Sequence, residues 1–540
     1  MNTMRKLALF CAGGLIIFQS ASAQNLKQAI AYTENELFET ASQVFHRLIS
    51  EKPGDPQLYY YIGENFYASE RLDSAAFYYD KGISTDANYA LNYVGKGKIQ
   101  LSKGNEAEAK ILFEKAKTLS GSKDVNVFLK IADAYVLNEW KDMSYALDAL
   151  NVAEKLDSKN TMLHLLRGNA VLIQDNDGSA ALTHYEKAVA LEPQSPKPHV
   201  YIGALYERGR SYDLAYQEYM AAVALDSTYA PSYRQLGELY YQYNDYKKAK
   251  DYYAKYLQLS GNSFSARVKY AKFLFLAKEY EAAIDEINAI MAIDSTLNIL
   301  NRLLGYSYYE IKMYPEGLRY LEQFMANAPA SNDKIIAQDY EYYGKILSAT
   351  RQDSLAIIQF SQALSMDSLN LETYTNIANS YLKTRQYDAA IGMLNKKMSL
   401  TREPSLNDYF KVAQTLYNKG AANKDSISFV QADSVFNIIL TKQPDLMLAH
   451  FWRARTNAGL DPETKLGLAK PHYEKVIELG SADREKNKSS LVEAHYYLAY
   501  FYYVQKDKAN ALLNVDQVLS LDPNSKNAKD LKTLIEKIEG

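Results

Sequence analysis

One alanine phase governs this chain. Ala41, Ala75, Ala109, Ala146, Ala181, Ala215, Ala249, Ala283, Gly317, Ala356, Ala390, Ala432, Ala469 and Ala511 follow one another in thirteen steps, seven of 34 residues and the rest of 35–42. Composition alone cannot put thirteen alanines and one glycine at one phase. A period of this length marks an array of repeated supersecondary units. It overrides the several separate domains that 540 residues would otherwise suggest.

Other positions keep the phase. About twelve residues before the alanine stands a small residue, as at Gly63, Gly97, Ala132, Gly168, Gly203, Gly237, Gly305 and Gly344. Four after it comes a ring, as at Phe45, Tyr79, Phe113, Tyr185, Tyr219, Tyr253 and Phe360. Proline or serine closes many units, as at Pro53, Pro193, Ser227, Pro329 and Pro523. Apolar residues at helical spacing on two successive stretches predict two amphipathic helices per unit. Small residues where those helices face each other allow close approach, with large residues filling the groove around them. One such hairpin cannot bury its apolar face alone, so it must stack on its neighbours.

The set Tyr233, Leu236, Gly237, Tyr240, Ala249 and Tyr253 resembles the tetratricopeptide repeat family, as does Ile202, Gly203, Tyr206, Ala215, Tyr219 and Ala222. The resemblance covers residues 25–525 and implies an all-α fold: a right-handed α-solenoid of about 14 helix-turn-helix units with a C-terminal capping helix. Residues 24–330 read as a regular array of about nine units, 331–525 as a less regular one of about five, and 526–540 as the cap. Extra residues fall within Ala328 to Ala337 and around Gly420 to Ser428, and Gly480 to Ser490 reads as a polar, lysine-rich loop. For function the resemblance implies binding of a protein or peptide partner in a concave groove.

Residues 1–23 have the pattern of a cleaved export signal: Arg5 and Lys6, an apolar stretch from Leu7 to Phe18, and Ala21-Ser22-Ala23 before Gln24. Cys11, the sole cysteine, follows Leu9-Phe10, which does not fit a lipoprotein signal. The expected product is a periplasmic chain without thiols that begins at Gln24. Its tyrosine richness and Ala-x-Ala site resemble envelope proteins of Bacteroidetes-type bacteria. Exported repeat proteins there serve outer-membrane transport, secretion or assembly systems.

A search for chemistry returns little. His-Glu-x-x-His, Gly-x-Ser-x-Gly and the phosphate-cradling glycine loop are absent from the sequence. Gly95-Lys96-Gly97-Lys98 is a chance match, because Gly97 fills the repeat's small-residue position. With 61 basic and 64 acidic residues and no long basic run, the electrostatic footprint of a nucleic-acid binder is missing. His164, His199, His450 and His495 occupy the slot of the repeat's first aromatic and read as packing substitutes for it. Acidic pairs such as Asp339 and Glu341 read as solvated helix faces. No cofactor, metal site, membrane span or catalytic residue is expected.

That leaves the rings. The chain has 47 tyrosines against 18 phenylalanines, and many hold repeat packing slots. Others fall at positions 5, 9 and 12 of the first helix, which in the family line the concave surface: Tyr60, Tyr67, Tyr241, Phe275, Tyr306, Tyr309, Phe410, Tyr417, Phe451, Tyr496, Tyr500 and Tyr503. Either they seal neighbouring first helices or they form an aromatic groove for a partner. Tyr496, Tyr500 and Tyr503 share one helical face and are the sharpest candidate patch, unless the capping helix folds over them. The leading expectation is a non-catalytic scaffold for another envelope protein. Its rivals are a regulatory or substrate-presenting module for a separate enzyme, and a glycan-binding groove.

Overall fold

The computed structural model describes residues 25–538; the signal segment 1–23, with Cys11, and the last two residues lie outside the described residues. The described chain is helical hairpin after helical hairpin, with no strand among the described residues. The described residues divide into two compact units between Leu303 and Leu304.

In the first unit, α1 (25–34) pairs with α2 (Phe38–Glu51). Then come α3 (Pro56–Ala68) with α4 (Leu72–Thr85), α5 (Ala90–Ser102) with α6 (Glu106–Leu119), and α7 (Val125–Leu137) with α8 (Ser144–Leu156). After them come α9 (Thr161–Asp175) with α10 (Gly178–Leu191), α11 (Pro196–Arg208) with α12 (Tyr212–Leu225), α13 (Ala230–Gln242) with α14 (Tyr246–Leu259), and α15 (Phe264–Leu276) with α16 (Tyr280–Met291).

The division falls inside α17 (Ile299–Glu310), which pairs with α18 (Tyr314–Ser331); after them come α19 (Ala337–Ala349) with α20 (Asp353–Met366), and α21 (Leu371–Lys383) with α22 (Tyr387–Leu400). They continue as α23 (Leu406–Asn423) with α24 (Ser426–Lys442), α25 (Met447–Leu460) with α26 (Lys470–Gly480), and α27 (Lys488–Val504) with α28 (Lys508–Leu521); α29 (Lys526–Glu536) follows. The fourteen hairpins and the terminal helix match the repeat count read from the sequence.

All thirteen phase alanines are fully buried, because each lies where the two helices of its hairpin cross. The small residue of the first helix has a more specific task than close approach. A Cβ at Gly63 would stand 2.4 Å from the Tyr79 ring and one at Gly95 2.3 Å from the same ring, so Tyr79 fills the space two glycines leave. Phe113, Tyr185, Tyr219 and Phe360 lie against Gly97, Gly168, Gly203 and Gly344 in the same way. The co-occurrence of glycine and ring in the sequence is thus one contact, repeated.

Each hairpin turns through a residue in the left-handed region. In twelve of fourteen turns it stands five positions before the phase alanine, as at Glu36, Glu70, Asn176, Arg210 and Lys506, and only Gly104 is a glycine. The next N–H reaches back to the first helix, as Arg71 N does to Phe66 O at 2.8 Å and Ser211 N to Tyr206 O at 2.8 Å, which closes a Schellman cap. Between hairpins an aspartate folds its own linker: Asp86, Asp226 and Asp294 each accept from the N–H two residues on, at 2.8 Å.

The first-aromatic slot pins that linker. Tyr59, Tyr93, Tyr233 and Tyr374 each donate a hydroxyl to the carbonyl six residues back, at 3.0–3.2 Å. His164 Nε2 and His450 Nε2 meet the corresponding carbonyls, Ser158 and Pro444, at 3.2 and 2.8 Å. As a carbonyl only accepts, Nε2 carries the proton. The histidines therefore replace tyrosine in its hydrogen bond as well as its volume.

Irregular steps are absorbed as helix. The residues around Gly420 to Ser428 lengthen α23 and α24 to 18 and 17 residues, and those before Ala337 lengthen α18 to 18, with Pro329 inside its last turns. The expected loop from Gly480 to Ser490 is shorter than that, a 3₁₀ turn at Ser481–Asp483 and a few residues before Lys488. Asp339 corrects a sequence expectation. It is not a solvated face residue but is fully buried, accepting from Tyr306 Oη at 2.6 Å and from Ile336 N at 2.7 Å. Glu341 beside it is half-buried and accepts from Asn370 at 2.5 Å.

Candidate functional site

Seven consecutive first helices of the first unit, α1, α3, α5, α7, α9, α11 and α13, turn their inner faces onto one cavity of about 760 Å³. That is within the range of ligand pockets, about 300–1,000 Å³. Its wall carries five carboxylates (Glu34, Glu36, Glu64, Asp133, Glu139) and five cations (Lys98, Lys130, Lys197, Arg208, Arg234). Tyr61, Tyr67, Tyr201 and Tyr229 stand between them.

The charges are fixed in place. Lys98, only 1% exposed, lies 2.6 Å from Glu64 and 3.8 Å from Asp133. Lys130 lies 3.3 Å from Glu64 and 3.7 Å from Asp133. Tyr79, reaching through from α4, donates to Glu64 at 2.6 Å. The Lys98 ammonium also rests 4.7 Å from the Tyr67 ring centre. Burial alone would push the Glu64 carboxyl up; Lys98, Lys130 and the hydrogen bonds from Lys98 and Tyr79 override it and hold it at about 2. Burial likewise opposes charge on Lys130, but Glu64 and Asp133 raise its ammonium above the ordinary lysine value.

The second-helix ring explains part of the tyrosine excess. Its hydroxyl emerges on the cavity side, where Tyr79 meets Glu64, Tyr185 meets Asn169, and Tyr219 meets Glu207. Phenylalanine at the same slot, as at Phe45 and Phe113, fills the space without that bond.

The expected aromatic groove fares differently along the chain. Tyr67 lines the cavity and hydrogen-bonds Asn138 at 3.1 Å. Tyr60 and Tyr306 are corrections: at 0% and 2% exposure they are core residues with no surface to offer. Phe451 is also buried, under Arg455 at 4.5 Å. Tyr241 packs on Tyr246 and Phe273, Phe275 on Tyr280, Tyr309 on Tyr314 and Tyr342, and Phe410 and Tyr417 both on Trp452. Of the C-terminal three, Tyr496 and Tyr503 pack against the cluster that holds Leu531 and Ile535 of α29, and Tyr500 alone is exposed, at 39%.

Glu64, Lys98 and Asp133 are not among the site residues expected from the sequence. Yet each stands immediately after its unit's small residue (Gly63, Gly97, Ala132), at position 9 of the stripe already taken as concave. The signal was present at that phase.

Among the described residues no group of three or more histidines, cysteines or carboxylates is arranged to hold a metal ion, and no helix is long and apolar enough to cross a membrane. A concave face assembled from successive helical hairpins defines a repeat scaffold of the protein-interaction class. The tetratricopeptide repeat profile matches residues 90–123 and 230–263. A solved structure, the C-terminal part of a tetratricopeptide repeat protein from Cytophaga hutchinsonii, is 34% identical over 49% of this chain and 98% of its own, with a TM-score of 0.43. A tetratricopeptide repeat protein from Parabacteroides merdae is 18% identical over 47% of this chain and 98% of its own, with a TM-score of 0.33. Anaphase-promoting complex subunit 3 of Schizosaccharomyces pombe is 25% identical over 186 residues, 34% of this chain. The chain spans only about a quarter (27%) of that curated relative. The chain belongs to the tetratricopeptide repeat family.

Proposed function

We propose that this protein is a non-catalytic, exported scaffold whose first unit holds an extended segment of another cell-envelope protein. The observation that carries the reading is the cavity built by seven first helices, where buried ion pairs fix the positions of charge before any partner arrives. Preorganised polar groups lose less on binding than mobile ones. The lining mixes charge with tyrosine, a combination suited to peptide backbone and side chains alike. The export pattern of residues 1–23 supports a place in the periplasm, and the envelope systems served by similar exported repeat proteins supply the class of partner.

The test is positional. A photo-crosslinking amino acid at Tyr201, in the cavity wall, should yield a discrete adduct in cells, whereas the same group at Phe77, 55% exposed on α4, should not. Adducts at Phe77 alone would reject the cavity. N-terminal sequencing of the exported product should begin at Gln24; a retained residue 1 would reject the cleaved signal.

A further inference from the structure

The turn between α1 and α2 reaches far across the sequence. Glu36 accepts from Arg234 Nε at 3.2 Å and from Arg234 Nη2 at 3.1 Å. Its other oxygen accepts from Tyr256 Oη at 2.7 Å. Two residues earlier, Glu34 lies 3.5 Å from Lys197 Nζ. A guanidinium fork with a phenolic hydroxyl beside it is a carboxylate receptor by geometry, and a second cation stands ready for a second carboxylate. Arg234 and Lys197 belong to the cavity wall, with Tyr201 and Tyr229 alongside. Glu70, at the equivalent turn of the next hairpin, is exposed.

We infer that Arg234, Tyr256 and Lys197 form a carboxylate-binding subsite which the chain fills with its own Glu34 and Glu36, and that an acidic peptide segment of the partner competes for it. This rests on the reading that the cavity receives a partner segment, and it adds that segment's chemistry. The self-contact acts as a tethered competitor. Its effective concentration is high, so a partner must offer more than one carboxylate or additional contacts deeper in the cavity. The first hairpin then makes the scaffold selective by keeping weak acidic ligands out.

Glu36 has φ of 60°, so Glu36→Gly clears the receptor without straining the turn. The probe is a fluorescent synthetic peptide with the sequence of residues 31–37, alongside the same peptide with both glutamates changed to glutamine. The full-length Glu34→Ala/Glu36→Gly variant should bind the acidic peptide at least about tenfold more tightly than the unmodified chain, and a further Arg234→Gln should abolish the gain. Equal binding to both chains, or a gain that survives Arg234→Gln, overturns the inference. Equal binding of the two peptides overturns it too, while leaving the cavity reading intact; loss of the Tyr201 crosslink in cells would instead remove that reading. Should circular dichroism show the variant unfolded, the unmodified chain decides: millimolar acidic peptide should accelerate hydrogen exchange over 38–51, and unchanged exchange overturns the proposal.

Discussion

The two units use one repeat for two different interiors. In the first, steps close to 34 residues bring position 9 of successive helices onto one cavity, and Glu64, Lys98 and Asp133 meet there as a buried ion cluster. In the second, the longer steps become extra helical turns and the concave positions carry rings that pack on one another, as Tyr417 and Phe410 do on Trp452. At position 9 of this unit Arg455 pairs with Glu493 at 2.5 Å but is about a third exposed, while the more buried pair, Lys397 with Asp408 at 2.6 Å, lies off that phase. Regular spacing lets position 9 of successive first helices bring their charges together out of water. Where spacing drifts, rings that need only contact fill the same phase.

The strongest way to break this contrast is Lys98→Ala. It leaves Glu64 and Asp133 short of a buried cation and should cost about 3 kcal/mol or more, whereas Arg455→Ala should cost about 1 kcal/mol or less. Urea denaturation followed by hydrogen exchange should confine the first loss to residues 56–140. Equal costs would erase the distinction.

Acid separates the units next. The Glu64 carboxyl is depressed in the fold, so its contribution is complete above the unfolded value near 4.5 and disappears as pH falls toward about 2. His472 in the second unit is lowered to about 4, chiefly by burial with Arg453 and His450 adding to it. The neutral ring is favoured in the fold, so the stability it confers is complete above the unfolded value near 6.5 and is lost as pH falls from there to about 4. The packing around His472 should therefore loosen at higher pH than the Glu64 cluster, with Glu64→Gln and His472→Gln each flattening its own limb. Hydrogen exchange at pH 7, 5 and 3 reads both.

Glycines sharpen the comparison at smaller amplitude. Gly203→Ala pushes a Cβ to 2.4 Å from the Tyr219 ring and should cost about 1–3 kcal/mol. Gly392, inside α22 with nothing within 4 Å of an added Cβ, should gain about 0.5–1 kcal/mol as alanine. Smallest of all, Tyr500→Ser should move stability by no more than about 0.5 kcal/mol. Tyr503→Ser, which uncovers the α29 cluster, should lower the melting temperature measurably.

The repeat was legible because each unit must bury the same alanine and seat the same ring; Ala249 and Tyr253 announce a hairpin without any knowledge of its neighbours. The candidate site was not legible to that degree. Glu36 and Arg234 lie in the first and seventh hairpins, and nothing local in Thr33 to Leu37 says that the turn will meet α13. Periodicity assigns a residue its face but not the residue it will meet six hairpins later. Asp339 combines both obstacles: it accepts from Ile336 N in a cap whose N-cap residue gives no polar signal, and from Tyr306 one hairpin earlier.

The left-handed turn residues have a consequence for heat tolerance. Eleven of the twelve turns placed five before the phase alanine carry a side chain where glycine would be at ease, Thr464 even a β-branched one at φ 57°. Each such residue costs about 1–2 kcal/mol, of which glycine returns all but the roughly 0.5–1 kcal/mol of its own chain entropy. These turns sit in different hairpins, so their increments add. Converting the turns to glycine, with Glu36 spared for its hold on Arg234, should raise the melting temperature of the array stepwise. Heat tolerance can thus be raised at the hairpin tips with every side chain of the cavity wall, Glu139 included, left unchanged.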